Sequence, residues 1–413
     1  MSLSLYRRLS VRNLLLAGVF GIAAFAGSAH ADDVLGQAVG KDLQQAQSAL
    51  ASKNYAKAME AVDAADAVKG KTDYETYTTA QMRAAIAAQS GNTDAAIKAY
   101  DVLINSSRTP KAAKGQMLMA QATMAYSAKQ YARAIPATER YLKEYGADPR
   151  MQTMLIQCYY LQQDWKGTAK AAQEQVDATI KAGKVPAENQ LQMLATAYTS
   201  LKDADAKTHA YVLLAKYYSK PDYWSMLIHD LVANPNLSPP LIFYVERLRL
   251  ATGVLKDPSD YQDMAERAVQ MGLPQLALNL LNQGYANHSL GNGPTAAADA
   301  KFHAFVAQQA ATNRSQLAAA VTQAASAPNA GPALTAGYNQ VLNGQVDAGL
   351  ALMKTGLTKN PRYPDLAQVE YGMAQMDGGQ KAEAIKTFEA VSGNGAARDV
   401  AELWSLLLSR PAK

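Results

Sequence analysis

The chain has 413 residues, 49% of them apolar, 8% aromatic and 18% charged, with a formal net charge of +5. One compact core rarely grows that large, so the chain is either two domains or an array of repeats in which each unit touches only its neighbours. The near balance of charge excludes the basic face that nucleic-acid binding requires, and Lys and Arg nowhere cluster among aromatics.

Alanine is the obvious excess, joined by Gln, Leu, Met and Lys, all good helix formers. No stretch alternates apolar and polar residues as a strand would, so the expected class is all-α.

The N-terminus has three parts. Residues 1–13 hold Arg7, Arg8 and Arg12 and no acid, Leu14 to Ala26 is an apolar run of 13 residues, and Ala29-His30-Ala31 precedes Asp32-Asp33. That order predicts a bacterial secretory signal peptide over 1–31, cut after Ala31, and so a periplasmic protein with no transmembrane span left. Loss of the three arginines takes the net charge from +5 to +2. Cys158 is the only cysteine, so no intramolecular disulfide forms, and its apolar surroundings mark it as a buried small hydrophobe.

Four segments then repeat. Lys53-Asn54-Tyr55, Gly91-Asn92-Thr93, Lys129-Gln130-Tyr131 and Gln163-Asp164-Trp165 each open with a turn-forming or polar pair, and their third residues lie 38, 38 and 34 apart. Three places on come Ala58, Ala96, Ala134 and Thr168, small enough to let two antiparallel helices cross closely. One turn later stand Val62, Tyr100, Thr138 and Ala172, which fill the groove beyond the crossing. Met82, Ile86, Met117, Met124, Leu155 and Tyr159 supply helical spacing upstream, and Pro136 falls inside a second helix.

Further along, residues 191–201 and 207–218 read as one more hairpin. Trp224, Leu227, Ile228 and Leu231 share a helix face, and Asn234 to Pro240 is a break. A helix over 241–253 follows, then a hairpin over 260–285 around Gly272-Leu273-Pro274 with Ala277 at its crossing and Leu281 beyond. Residues 291–294 and 326–332 punctuate the chain. Gly344 to Leu350 and Gly378 to Phe388 open two more second helices, and residues 396–410, with Trp404, Leu407 and Leu408, suit a capping helix. The expected division is 32–218, 219–332 with degenerate hairpins, and 333–413. About nine hairpins would form one continuous superhelix, flexed near 233–240 or 326–332.

No chemistry-bearing constellation emerges. His209, His229, His288 and His303 show no i, i+3 or i, i+4 pair that would set two metal ligands on one face, and zincin, serine-hydrolase and phosphate-loop motifs do not occur. Lys354-Thr355-Gly356 matches one element of the penicillin-binding serine enzymes, but the S-x-x-K nucleophile motif is missing. No cofactor, metal or catalytic residue is expected.

The repeated pattern resembles the tetratricopeptide repeat, a helix–turn–helix of about 34 residues. Its small–x3–aromatic signature stands at Ala96 and Tyr100 and again at Ala384 and Phe388, with a closing Asn-Pro at Asn360-Pro361. The resemblance covers residues 80–180 and 335–392. It departs from the family in the spacing of 38 and in the Trp and Gly missing from most first helices. It implies stacked hairpins forming an α-α superhelix, with first helices lining a concave face that holds a protein partner.

Counted from the turns, that face carries Gln81, Gln116, Met119, Thr123, Tyr126, Arg150, Thr153, Gln157, Tyr160, Gln192 and Thr196. The set is polar with little charge, and tyrosine and glutamine suit peptide backbone or sugar. The implied function is a non-enzymatic scaffold or adaptor for a cell-envelope assembly, with a periplasmic carrier of peptide or glycan fragments as the alternative.

Overall fold

The computed structural model describes residues 33–234, 237–255, 257–393 and 395–410, so the leader expected over 1–31 lies outside them. The described residues form twenty α-helices and one short 3-10 turn at Gly293–Thr295, with no strand among them.

A single local device joins most helix pairs. Lys53, Gly91, Lys129, Gln163, Lys202, Gly272, Gly344 and Gly379 all stand in the left-handed region, with φ between 58° and 87°. The N–H of the next residue then reaches back to the carbonyl five places earlier: Asn54 to Ala49 at 2.8 Å, Gln130 to Ala125 at 2.8 Å and Asp164 to Tyr159 at 3.0 Å. This six-to-one bond satisfies carbonyls that the first helix leaves open. Where the next residue is Asn or Asp it also starts the second helix, as Asn54, Asn92, Asp164 and Asp203 accept from the N–H groups of Lys57, Ala95, Gly167 and Ala206. The polar pair of the sequence pattern is therefore one residue that stops a helix and one that begins the next. Lysine at φ 61° is strained, so Lys129→Gly should raise stability by about 0.5–1 kcal/mol, read as a higher urea midpoint at unchanged slope.

The crossings follow as expected. Ala58, Ala96, Ala134 and Thr168 are all buried, as are Val62, Tyr100, Thr138 and Ala172. Two threonines are accommodated at these buried places because their hydroxyls bond within the helix, Thr138 to the Ala134 carbonyl at 2.7 Å and Thr168 to the Asp164 carbonyl at 2.8 Å.

The helices group into two compact units that meet in sequence after Gly183. The first contains α1 (Gln37–Ala51), α2 (Tyr55–Ala67), α3 (Asp73–Ser90), α4 (Thr93–Asn105), α5 (Lys111–Ser127), α6 (Tyr131–Tyr145), α7 (Pro149–Leu161) and α8 (Trp165–Lys181). Each helix packs on the next, and the first helices also meet one another, α1 on α3 and α5 on α7. That is a helical-hairpin solenoid. Its core runs from Val39 and Ala46 through Ile86, Leu103 and Leu118 to Ile156, all at most 2% exposed.

The second unit contains α9 (Glu188–Leu201), α10 (Ala204–Tyr217), α11 (Pro221–Val232), α12 (Pro239–Ala251), α13 (Pro258–Gln270), α14 (Pro274–Ala286), α15 (Ala296–Ser326), α16 (Ala330–Leu342), α17 (Val346–Leu357), α18 (Pro364–Asp377), α19 (Lys381–Glu389) and α20 (Ala396–Leu408). Consecutive helices again pack in pairs, with Ala277 and Ala384 fully buried at their crossings. The 31-residue α15 ends against Lys359, whose Nζ donates to the carbonyls of Ala325 at 3.2 Å and Ala327 at 2.7 Å. A cation there answers the negative end of the helix dipole.

The last helix of this unit makes contacts that the repeat pattern does not carry. The helices from α12 onward do not run out as an open array, because α20 packs on α18 and α19 behind it and also on α10, α11 and α12. It closes a ring rather than capping an end. Trp404, 2% exposed, donates its Nε1–H to the Tyr244 carbonyl at 3.1 Å, 160 residues away. Residues 219–332, expected as degenerate hairpins, form the paired helices α11 to α15, and α11 and α12 also pack on α20.

Candidate functional site

The predicted face is built from helix spacing. Gln116, Met119, Thr123 and Tyr126 descend one side of α5, and Arg150, Thr153, Gln157 and Tyr160 descend one side of α7. None of the eight is buried. The two rows meet where the Tyr126 hydroxyl donates to Gln157 Oε1 at 2.9 Å, across 31 residues of sequence. Tyr126 also lies 5.7 Å from the Tyr131 ring, and Tyr160 and Trp165 meet edge to face at 5.6 Å, so both aromatics are held by neighbours on the following helix.

Not every predicted residue offers its polar atoms outward. The hydroxyls of Thr123, Thr153 and Thr196 donate to the carbonyls of Met119, Pro149 and Gln192 at 2.7, 2.8 and 2.9 Å. Met119 rests against the core cluster around Leu103 and Leu118. Arg150 extends into solvent with its side chain 81% exposed, 3.6 Å from Asp148. Gln81 is exposed on α3. Gln192 and Thr196 belong to the second unit, where Gln192 Nε2 donates to the Tyr223 hydroxyl at 2.7 Å.

The second unit holds a constellation that sequence reading passed over. Arg247 of α12, 8% exposed, sends Nη2 to Asp377 Oδ1 at 2.6 Å and Nη1 to Asp377 Oδ2 at 3.2 Å on α18. Nη1 also reaches the Tyr338 hydroxyl on α16 at 3.2 Å, and that hydroxyl donates to Asp377 Oδ2 at 2.6 Å. The guanidinium lies 6.0 Å from the Phe243 ring centroid. Three helices are thus tied at one point. Burial works against the Arg247 charge, but the field of Asp377 and the Tyr338 hydroxyl outweighs it and lifts its pKa above the ordinary value. Burial, reinforced by Asp377, likewise holds the Tyr338 phenol well above its usual range. Nearby, the Tyr244 hydroxyl is buried without a partner among the described residues.

One signal could have exposed this cluster. Helix α12 buries Leu241, Phe243, Tyr244, Val245 and Leu248, which leaves it too little solvent face to dispose of an arginine.

No family model matches this chain, and no curated protein matches it. Among solved structures, one described as the structure of Naa15/Naa10 bound to HypK-THB is 14% identical, with 88% of this chain and 65% of that chain aligned at a TM-score of 0.28. The chain therefore spans less than two thirds of that protein's length. A TM-score of 0.28 is too low for that structure to inform this one. The all-α repeat fold rests on the hairpins themselves.

Among the described residues no three His, Cys, Asp or Glu side chains gather as a metal site would need, and no helix is long and apolar enough to cross a membrane. His303 Nε2 lies 2.8 Å from Asn282 Oδ1 with its ring edge-on to Tyr285. Cys158 is fully buried between hairpins, and burial pushes its thiol up to about 12.

Burial raises the Glu370 carboxyl of α18 from 4.5 to about 7. Between those values the folded chain holds a proton that the unfolded chain has released, so stability falls as pH rises through that window and is greatest below it. Glu370→Gln should flatten this slope and raise the melting temperature at about pH 8 but not at about pH 5. Equal slopes in both proteins would assign the effect elsewhere.

Proposed function

We propose that this chain is a non-enzymatic interaction scaffold or adaptor of the bacterial periplasm, exported on the leader at 1–31 and holding a protein or peptide partner of the cell envelope. The observation that carries the proposal is the α5–α7 face. Two adjacent first helices set two tyrosines and two glutamine amides beside each other, none buried, with the Tyr126–Gln157 bond spanning the repeats. Tyrosine offers large contact area at small entropic cost, and glutamine both donates and accepts toward a backbone. The tetratricopeptide-like hairpins support the same reading, because stacked first helices give an extended lining that grows with each unit.

A photoreactive amino acid at Tyr126 or Tyr160 in living cells should capture one reproducible envelope protein, while the same group at Lys170 on the exposed side of α8 should not. Capture of nothing reproducible at either tyrosine rejects the scaffold. The alternative, a carrier of peptide or glycan fragments, draws on the low charge of this face. Muropeptides and oligosaccharides would then raise the melting temperature of the purified protein, and a flat response removes that reading.

A further inference from the structure

Four helices of the second unit, α12, α14, α16 and α18, line a half-open pocket of about 250 Å3. The buried Arg247 and the part-buried Asp377 line it together with Leu280 and Leu342, and the exposed Asn279 and Gln283 complete the lining. We propose that this cavity is a binding site for an uncharged amide, presented by a short neutral segment of a peptide.

The chemistry of the lining selects that class. A ligand carboxylate approaching Arg247 meets Asp377, and an ammonium approaching Asp377 meets Arg247, so a charged terminus or side chain is opposed whichever partner it seeks. What the pair does offer is a donor edge beside an acceptor edge. An amide carries one donor and one acceptor in a plane, and Asn279 and Gln283 continue that alternation outward. Sugar is disfavoured because no aromatic ring lines the cavity; the Phe243 ring lies against the guanidinium instead. Leu280 and Leu342 match an aliphatic stem. The volume lies below the roughly 300 Å3 at which small-molecule pockets usually begin, so one or two residues fill it. A buried ion pair also costs more than an apolar contact of the same size, which is a reason to look for a role beyond packing.

The inference rests on the peptide-holding reading above but on different residues, so the two fail separately. The test uses the full exported chain and calorimetry with N-acetylated, C-amidated tripeptides carrying Gln, Ala or Leu at the centre, beside the same tripeptides with free termini and N-acetylglucosamine. The capped tripeptides are expected to bind and the others not. Gln283→Trp and Asn279→Trp, at exposed positions of the lining, should weaken binding by about tenfold or more with unchanged circular dichroism and melting. Crosslinking through Tyr126 should be unaffected in both variants. Absence of binding by capped tripeptides overturns the site, as does equal binding by both variants, or stronger binding by the sugar or the charged tripeptides. If crosslinking at Tyr126 persists in those cases, the α5–α7 face stands and only the cavity falls.

Discussion

Replacing Gly349 with leucine should unfold the second unit under conditions where the parent is fully native, at a cost of about 4 kcal/mol or more. Gly349 on α17 and Gly337 on α16 face each other where the two backbones touch. A Cβ on Gly349 would overlap the Gly337 carbonyl oxygen and lie 2.8 Å from the Val341 nitrogen, and one on Gly337 would lie 2.6 Å from the Gly349 carbonyl oxygen. The obstacles are main-chain atoms inside helices, so no rotamer change relieves them, and the crossing itself must widen. Even Gly349→Ala should cost about 1–3 kcal/mol, although alanine is the better helix former by about 1 kcal/mol. Chemical denaturation of both variants checks the ranking. A Gly349→Ala protein as stable as the parent would show that the two helices separate freely.

The same logic explains what the sequence could reveal. Small residues at 58, 96, 134, 277 and 384 were readable because a helix crossing is local: turn, crossing residue and groove filler lie within about ten positions, at spacings that helix geometry imposes. The turn pair was readable too, since its left-handed first residue and capping second residue are consecutive. Even so, lysine or glutamine at 53, 129, 163 and 202 hides a backbone preference that glycine at 91, 272, 344 and 379 announces.

Ring closure was not readable. Arg247 meets Asp377 across 130 residues and Trp404 meets Tyr244 across 160, and a period reports which face of a helix is apolar, not which distant helix covers it. Residues 396–410 therefore looked like an end cap: their amphipathic pattern is the same whether one face meets solvent or the far side of the unit. The candidate face was legible for the rows on α5 and α7, where counting from the turns placed Gln116 to Tyr160. It failed for the threonine hydroxyls, because bonding back to the carbonyl four residues earlier is invisible in a residue type.

Arg247→Ala should cost about 3–5 kcal/mol, because it strands the Asp377 carboxylate and the Tyr338 hydroxyl in the closed unit with no cation between them. Arg247→Lys should recover little, since one ammonium cannot reproduce the forked contact to both carboxylate oxygens. Tyr338→Phe removes one member of the network and should cost only about 1 kcal/mol. The double variant Arg247→Met with Asp377→Leu separates architecture from recognition. It removes both charges and their desolvation together, so it should regain most of the stability lost by Arg247→Ala. Its cavity, however, would have apolar atoms where the donor and acceptor edges stood, and the capped tripeptides should no longer bind. Urea unfolding gives the first quantity and calorimetry the second. A double variant that stays as weak as Arg247→Ala would mean that the ion pair itself, through geometry that apolar side chains cannot copy, holds α12 to α18. One that regains stability and still binds peptide would place the amide somewhere other than over this pair.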